Sequence, residues 1–266
     1  MSNREEKRYL ATGERLRTSA GEFKSVIGGI VSSAARGEIY AVGVAHALES
    51  ADGDVTTESG ISLSGICRDI PRGVVGSYRS ISNALALVTI AGDQLLEFDK
   101  NASWAGDAGV CAPQDAFQTD VTIGFRGGSQ VSGLVTDLGA VIMLKKGDAA
   151  AVGYHGALKI KACKNSDFVT RSEAGTPVFA ADDSLLGFLV VAVDDCAYVA
   201  PAQPLFDELS IYAVDRAAIA RHNEVAERQL ELRSQRPAGV NDYLQVTRFS
   251  ERLPAWRYRP SRARVA

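Results

Sequence analysis

Cysteine is scarce in this chain: 4 residues, Cys67, Cys111, Cys163 and Cys196, are scattered over 266 positions. No Cys-x-x-Cys step occurs, so neither a zinc ribbon nor a finger is expected. The 3 histidines, His46, His155 and His222, are equally dispersed, and their spacing supports no metal site. No cofactor is expected. Apolar runs are short as well, none approaching the roughly 20 residues of a membrane-spanning helix. The first eight residues, Met1-Ser2-Asn3-Arg4-Glu5-Glu6-Lys7-Arg8, are charged and lack the apolar stretch of a secretory leader. Together these absences predict a cytoplasmic protein with four reduced thiols and no membrane partner.

What remains is an ordinary globular composition, 46% hydrophobic and 23% charged, in a chain long enough to bury a sizeable core. Its charge is unevenly distributed. Residues 25–215 hold 12 basic and 23 acidic side chains, whereas residues 216–266 hold 11 arginines and 5 acids. The simplest reading lays the basic tail on the acidic body, within one chain or between copies in a homo-oligomer. A sharper one docks the tail on nucleic acid, with Tyr243, Phe249, Trp256 and Tyr258 available for base stacking, although no recognition motif accompanies the charge.

Short apolar runs bounded by turn residues predict strands at 26–31, 39–45, 61–66, 74–78 and 85–90. A second set falls at 121–125, 131–135, 141–144, 157–162, 177–179, 186–193 and 197–200. Gly and Asp punctuate them, as at Asp182-Asp183-Ser184. Many short strands at this spacing point to barrels or a sandwich. Residues 95–118 lack alternation and suit a connection between two such units. Beyond Pro204 the character changes: residues 215–235 are rich in Ala, Glu, Arg and Leu without Gly or Pro, which predicts a helix. Its apolar stripe is uneven and is expected to pack on the second unit or on a neighbouring subunit. His155 and His222 are expected at the surface.

The segment Ser172-Glu173-Ala174-Gly175-Thr176-Pro177-Val178-Phe179 resembles the Gly-Asp-Ser-Gly-Gly-Pro-Val nucleophile loop of the trypsin-like (chymotrypsin-fold) serine peptidases. Ile39-Tyr40-Ala41-Val42-Gly43-Val44-Ala45-His46 resembles the strand that ends on that family's general base. Asn83-Ala84-Leu85-Ala86-Leu87-Val88 resembles the segment carrying its aspartate. In this register Ala174 stands at the nucleophile, His46 at the base and Ala84 at the acid. A shift of one residue would put Asn83 at the acid, which carries no carboxylate either. Ser172 and Glu173 occupy the oxyanion loop, and Leu189, Val190, Val191 and Ala192 the substrate groove. The resemblance is to the compact bacterial branch, covers about residues 25–211, and extends to Cys196-Ala197-Tyr198-Val199-Ala200-Pro201 as the closing strand.

The resemblance therefore implies an all-β fold of two packed six-stranded antiparallel β-barrels, with a C-terminal α-helix and basic tail. It divides the chain into an N-terminal extension (1–24), a two-barrel domain (25–211) and a helix with Arg-rich tail (212–266). It also implies a degenerate triad in which His46 is a vestigial base. A methyl group cannot attack a carbonyl. Loss of the alcohol alone costs on the order of 10⁶ in turnover, and loss of the carboxylate about 10⁴. Ser172 and Thr176 lie roughly 6–7 Å along the chain from position 174, beyond the reach of proton transfer to His46. Glu173 is expected to bond loop amides or face solvent. With no acid in the groove, apolar or small side chains are the expected occupants. Three functions follow: an inactive homologue that binds peptide or protein or serves as a structural module; a serine endopeptidase whose nucleophile was replaced; an assembly or nucleic-acid adaptor acting through the tail.

Overall fold

The computed structural model describes residues 9–17, 23–33, 38–48, 55–66, 78–97, 109–125, 128–144, 151–163 and 173–235. The basic tail from 236 onward, on which the nucleic-acid and oligomer readings rest, lies outside them, as do Cys67 and most of the expected 74–78 strand. Residues 98–108 of the expected connection also lie outside.

The amino-terminal half is built from β1 (Tyr9–Leu10), β2 (Arg15–Arg17), β3 (Phe23–Val26), β4 (Gly29–Ser33), β5 (Ile39–Val44), β6 (Val55–Thr57) and β7 (Ser62–Ile66). A short helix α1 (Ala45–Leu48) follows β5; β8 (Tyr78–Ser80), β9 (Leu85–Thr89) and β10 (Leu95–Leu96) come after β7. The second half holds β11 (Asp120–Ile123), β12 (Val131–Leu144), β13 (Val152–Ala162), β14 (Pro177–Ala180), β15 (Leu185–Val193) and β16 (Cys196–Pro201). Helix α2 (Ala202–Leu209), β17 (Ile211–Ala213) and helix α3 (Arg216–Ser234) complete the described chain.

These strands form the expected pair of barrels. The second sheet runs β12-β11-β14-β15-β16-β13-β8, and a further β12–β13 pairing closes its first six strands on themselves. The first sheet runs β17-β4-β5-β9-β7-β6-β2-β3, and the chain passes from its last strand, β3, straight into β4 near the opposite edge. β3 pairs with β2, the path bends at Ile27–Gly28, and β4 pairs with β5. Closure of the second unit by strand pairing leaves it few exposed sheet edges.

Three apolar clusters fill this architecture. One lies inside the first barrel around Leu16, Ile27, Leu48, Val55, Leu63 and Val88. Another lies inside the second around Ile123, Val135, Leu158, Ile160, Leu189 and Val199. The third is the seam between barrels, where Val42, Val44, Ala84 and Leu85 of the first meet Tyr154, Phe179, Phe188 and Val190 of the second.

Several elements depart from the sequence reading. The strand expected at 26–31 splits into β3 and β4, because the chain bends where Gly28 meets the second barrel. The strands expected at 131–135 and 141–144 are one strand, β12. Its alternation lapses at Thr136-Asp137-Leu138-Gly139, yet pairing with β13 continues through three register shifts. β13 likewise starts at Val152 rather than 157. β1, β2 and β10 are too short to carry a periodic signal. The boundary drawn at 24/25 falls within β3.

The predicted 215–235 helix forms as α3, with Asp215 at its N-cap accepting a hydrogen bond from the Ala218 N–H at 2.6 Å. It packs on the first barrel, not the second. Ile219 joins the first-barrel cluster, and Asn223 clasps β10: its Oδ1 accepts from the Leu96 N–H, and its Nδ2 donates to the Leu96 carbonyl, both at 2.8 Å. His222, expected at the surface, is half-buried with Nε2 2.8 Å from the Gln94 carbonyl. Replacing Asn223 by Ala leaves both Leu96 groups without partners, at an expected cost of about 1–3 kcal/mol. Urea denaturation of Asn223→Ala beside the wild type measures that loss; an unchanged midpoint would show that α3 docks through Ile219 and Ala226 alone. Among the described residues, no helix is long and apolar enough to cross a membrane.

Candidate active site

The two amino-terminal positions singled out in sequence emerge side by side. β5 and β9 are antiparallel neighbours with Val44 opposite Leu85. Just beyond Val44 the backbone of His46 enters α1, and just before Leu85 a 3₁₀ turn, Ile81–Ala84, delivers Ala84. Helix α1 packs on that turn. Ala84 is fully buried in the seam, whereas Asn83 is half-buried. The description of His46 extends to its backbone.

The third position arrives from the second barrel. The turn Glu173–Thr176 leads into β14, and its carbonyl at Ala174 accepts from the Val26 N–H at 2.9 Å and from Ser25 Oγ at 3.1 Å. The same Ser25 Oγ accepts the Val44 N–H at 3.1 Å, two residues before His46. One buried hydroxyl thus links β3, the end of β5 and the loop of position 174. On its other side the loop is held by Gly175 N–H to Leu189 O at 2.7 Å and Leu189 N–H to Thr176 O at 2.8 Å. Ala174 is half-buried and packs against the seam cluster that contains Ala84.

Among the described residues, the hydroxyls next to position 174 are spoken for. Thr176 is buried and its Oγ1 donates to the Glu173 carbonyl at 2.6 Å. Ser25 is buried and committed to backbone groups. Ser172 lies outside the described residues. Among the described residues, no three His, Cys, Asp or Glu side chains assemble as a metal set. Cys111, Cys163 and Cys196 are free thiols, and burial pushes Cys111 and Cys196 above the usual thiol range. Neither is activated.

Glu173 faces solvent, one of the two placements expected from sequence, but not without a partner. Its carboxylate takes a two-pronged grip from Arg15 on β2, with Nε donating to Oε2 at 3.1 Å and Nη2 to Oε1. The hydrogen bond to Glu173, and then its charge, raise the Arg15 guanidinium above its ordinary value. Both groups are exposed, so salt weakens the pair. β2 belongs to the stretch expected to be an extension, and nothing in the sequence marks Arg15 or Ser25 as partners of the 173–176 turn.

The four expected groove residues divide. A register shift between Leu189 and Val191 sends Leu189 into the second-barrel core and Val190 into the seam, both fully buried. Val191 and Ala192 remain half-buried. Val191 lies opposite Tyr198 on β16, and both pack against the seam cluster on which Ala174 also packs. Tyr198 was not singled out as a groove residue from sequence; its aromatic ring in the closing strand was the only signal.

No protein-family model matches the chain, and no curated protein matches it in sequence. Solved structures do match in fold. A chymotrypsin from Cellulomonas bogoriensis superposes with a TM-score of 0.50 at 16% identity, covering 78% of this chain and 99% of its own. Protease A of Thermobifida fusca gives 0.49 at 14% identity, covering 77% and 100%. A Nocardiopsis protease gives 0.49 at 12%, covering 78% and 100%. The chain has the two-barrel fold of the bacterial chymotrypsin-like serine proteases.

Proposed function

We propose that this chain is a chymotrypsin-fold domain without hydrolytic activity, which uses the surface beside position 174 to bind an extended peptide or protein segment. The observation that carries this reading is the packing of Ala84 and Ala174 against one apolar cluster, in a site where hydrolysis requires an acid and an alcohol. The neighbouring alcohols of Ser25 and Thr176 are tied to backbone carbonyls and have no freedom to attack. The loop around 174 is nonetheless fixed from both barrels, which preserves a rigid wall for a ligand. The half-buried Val191 and Tyr198 supply apolar surface there.

Ala174→Ser tests the reading against that of an endopeptidase whose nucleophile was replaced. Wild type is expected to give no label with a fluorophosphonate probe and no turnover of a mixed peptide library. Ala174→Ser is expected to stay at least about 10⁴-fold below an intact triad, since position 84 still lacks a carboxylate. Brisk hydrolysis by Ala174→Ser would identify a competent site and overturn the proposal, as would labelling of the wild type.

A further inference from the structure

We propose that Lys159 makes this surface selective for extended peptides that carry a carboxylate side chain two or three residues from an apolar one. The inference rests on the peptide-binding reading above and names the ligand class.

Cross-strand register places the groups. Lys159 on β13 lies opposite Tyr198 on β16, and Tyr198 lies opposite Val191 on β15, so the three form one row on one face of the barrel. The neighbouring row is Lys161, Cys196 and Val193. The two lysines differ in their partners. Lys161 is exposed, and its Nζ lies 3.9 Å from an Asp195 carboxylate oxygen. Lys159 is half-buried and has no carboxylate partner among the described residues. Asp137 faces it in register on β12, but the Asp137 carboxylate accepts the Gly139 N–H at 2.8 Å.

Among the described residues no carboxylate pairs with this ammonium, whereas Lys161, two residues on, has Asp195. A half-buried cation gains from an opposite charge more than a fully solvated one does. Cross-strand pairing sets Lys159 directly opposite Tyr198 on β16, within reach of its ring. Two strand spacings separate Lys159 from Val191, about 9–10 Å between their backbones. An extended peptide with an apolar side chain on Val191 and Tyr198 reaches back toward Lys159 two or three residues away, at about 3.3 Å per residue. A Glu or Asp there meets the ammonium in a charge-assisted hydrogen bond.

The test is fluorescence anisotropy with labelled hexapeptides that pair a Val with a Glu two or three residues away, alongside Gln versions. Wild type is expected to bind the Glu peptides about 10-fold more tightly at low salt. Lys159→Gln should abolish that preference, so that Glu and Gln peptides bind it equally, and Lys159→Arg should retain it. Equal affinity of wild type for Glu and Gln peptides, with binding measurable, would overturn the role of Lys159 and leave the groove standing. A preference that survives Lys159→Gln would do the same. No binding of any peptide would overturn the groove itself, and this proposal with it.

Discussion

Gly28→Ala is expected to destabilise the domain by at least about 3 kcal/mol, at the upper end of what a single added methyl does. A Cβ at Gly28 would stand 2.6 Å from Phe188 Cδ1 and closer still to the carbonyl oxygen of Gly175. Neither obstacle can yield cheaply. Phe188 is fully buried in the seam, and the Gly175 oxygen belongs to a backbone held by the Leu189 carbonyl. Gly175 adopts a φ of +97°, and a Cβ there would run into the Val26 carbonyl oxygen. The two glycines therefore let the backbones of the two barrels touch, and the Val26 N–H to Ala174 O bond at 2.9 Å depends on that approach. Urea denaturation gives the loss, and hydrogen exchange at Val26 reports whether the seam opens first. A Gly28→Ala protein as stable as wild type would show that Phe188 and the Gly175 carbonyl yield to a methyl group at no cost.

The seam also explains what sequence could and could not convey. Pro177-Val178-Phe179 and Leu85-Ala86-Leu87-Val88 were legible, because apolar runs bounded by turns are a local property. So was α3, whose start is marked by the Asp215 cap. The side of the body on which α3 settles was not legible. That choice is made by Asn223 meeting the backbone of Leu96, 127 residues away in sequence. Ser25 and Arg15 were invisible for the same reason. A serine in Phe23-Lys24-Ser25-Val26 and an arginine in a three-residue strand carry no pattern, and their meaning lies in groups 149 and 158 residues distant. Leu189 and Val190 misled because a bulge re-aims them inward, and bulges leave no reliable mark on alternation. Positions 46, 84 and 174 could be nominated only because a known family supplied the order in which to look.

Ala84→Asp, the change that would bring a carboxylate to the acid position, is expected to cost about 2–4 kcal/mol at pH 7. Ala84 is fully buried, surrounded by Val44, Ile81 and Leu85 in the seam cluster. An ionised carboxylate there loses its hydration, so the new aspartate should titrate above its ordinary value of about 3.9. For an acid whose folded pKa is raised, the penalty is absent below the unfolded pKa. It grows as pH rises from the unfolded toward the folded pKa, then stays constant. The stability deficit of Ala84→Asp relative to wild type should accordingly be smaller at pH 4 than at pH 7, as read from urea midpoints at both. A protonated imidazole from His46, whose backbone lies at the same end of β5 and β9, would reverse this trend by pairing with the carboxylate. Ala84→Asp that is as stable as wild type at pH 7 would thus reveal a site still able to hold a His–Asp pair. In that case Ala84→Asp combined with Ala174→Ser becomes the protein in which hydrolysis should be sought. Destabilisation that deepens toward neutral pH instead means that the seam is packed around alanine at position 84, and that this small apolar side chain is part of how the two barrels adhere.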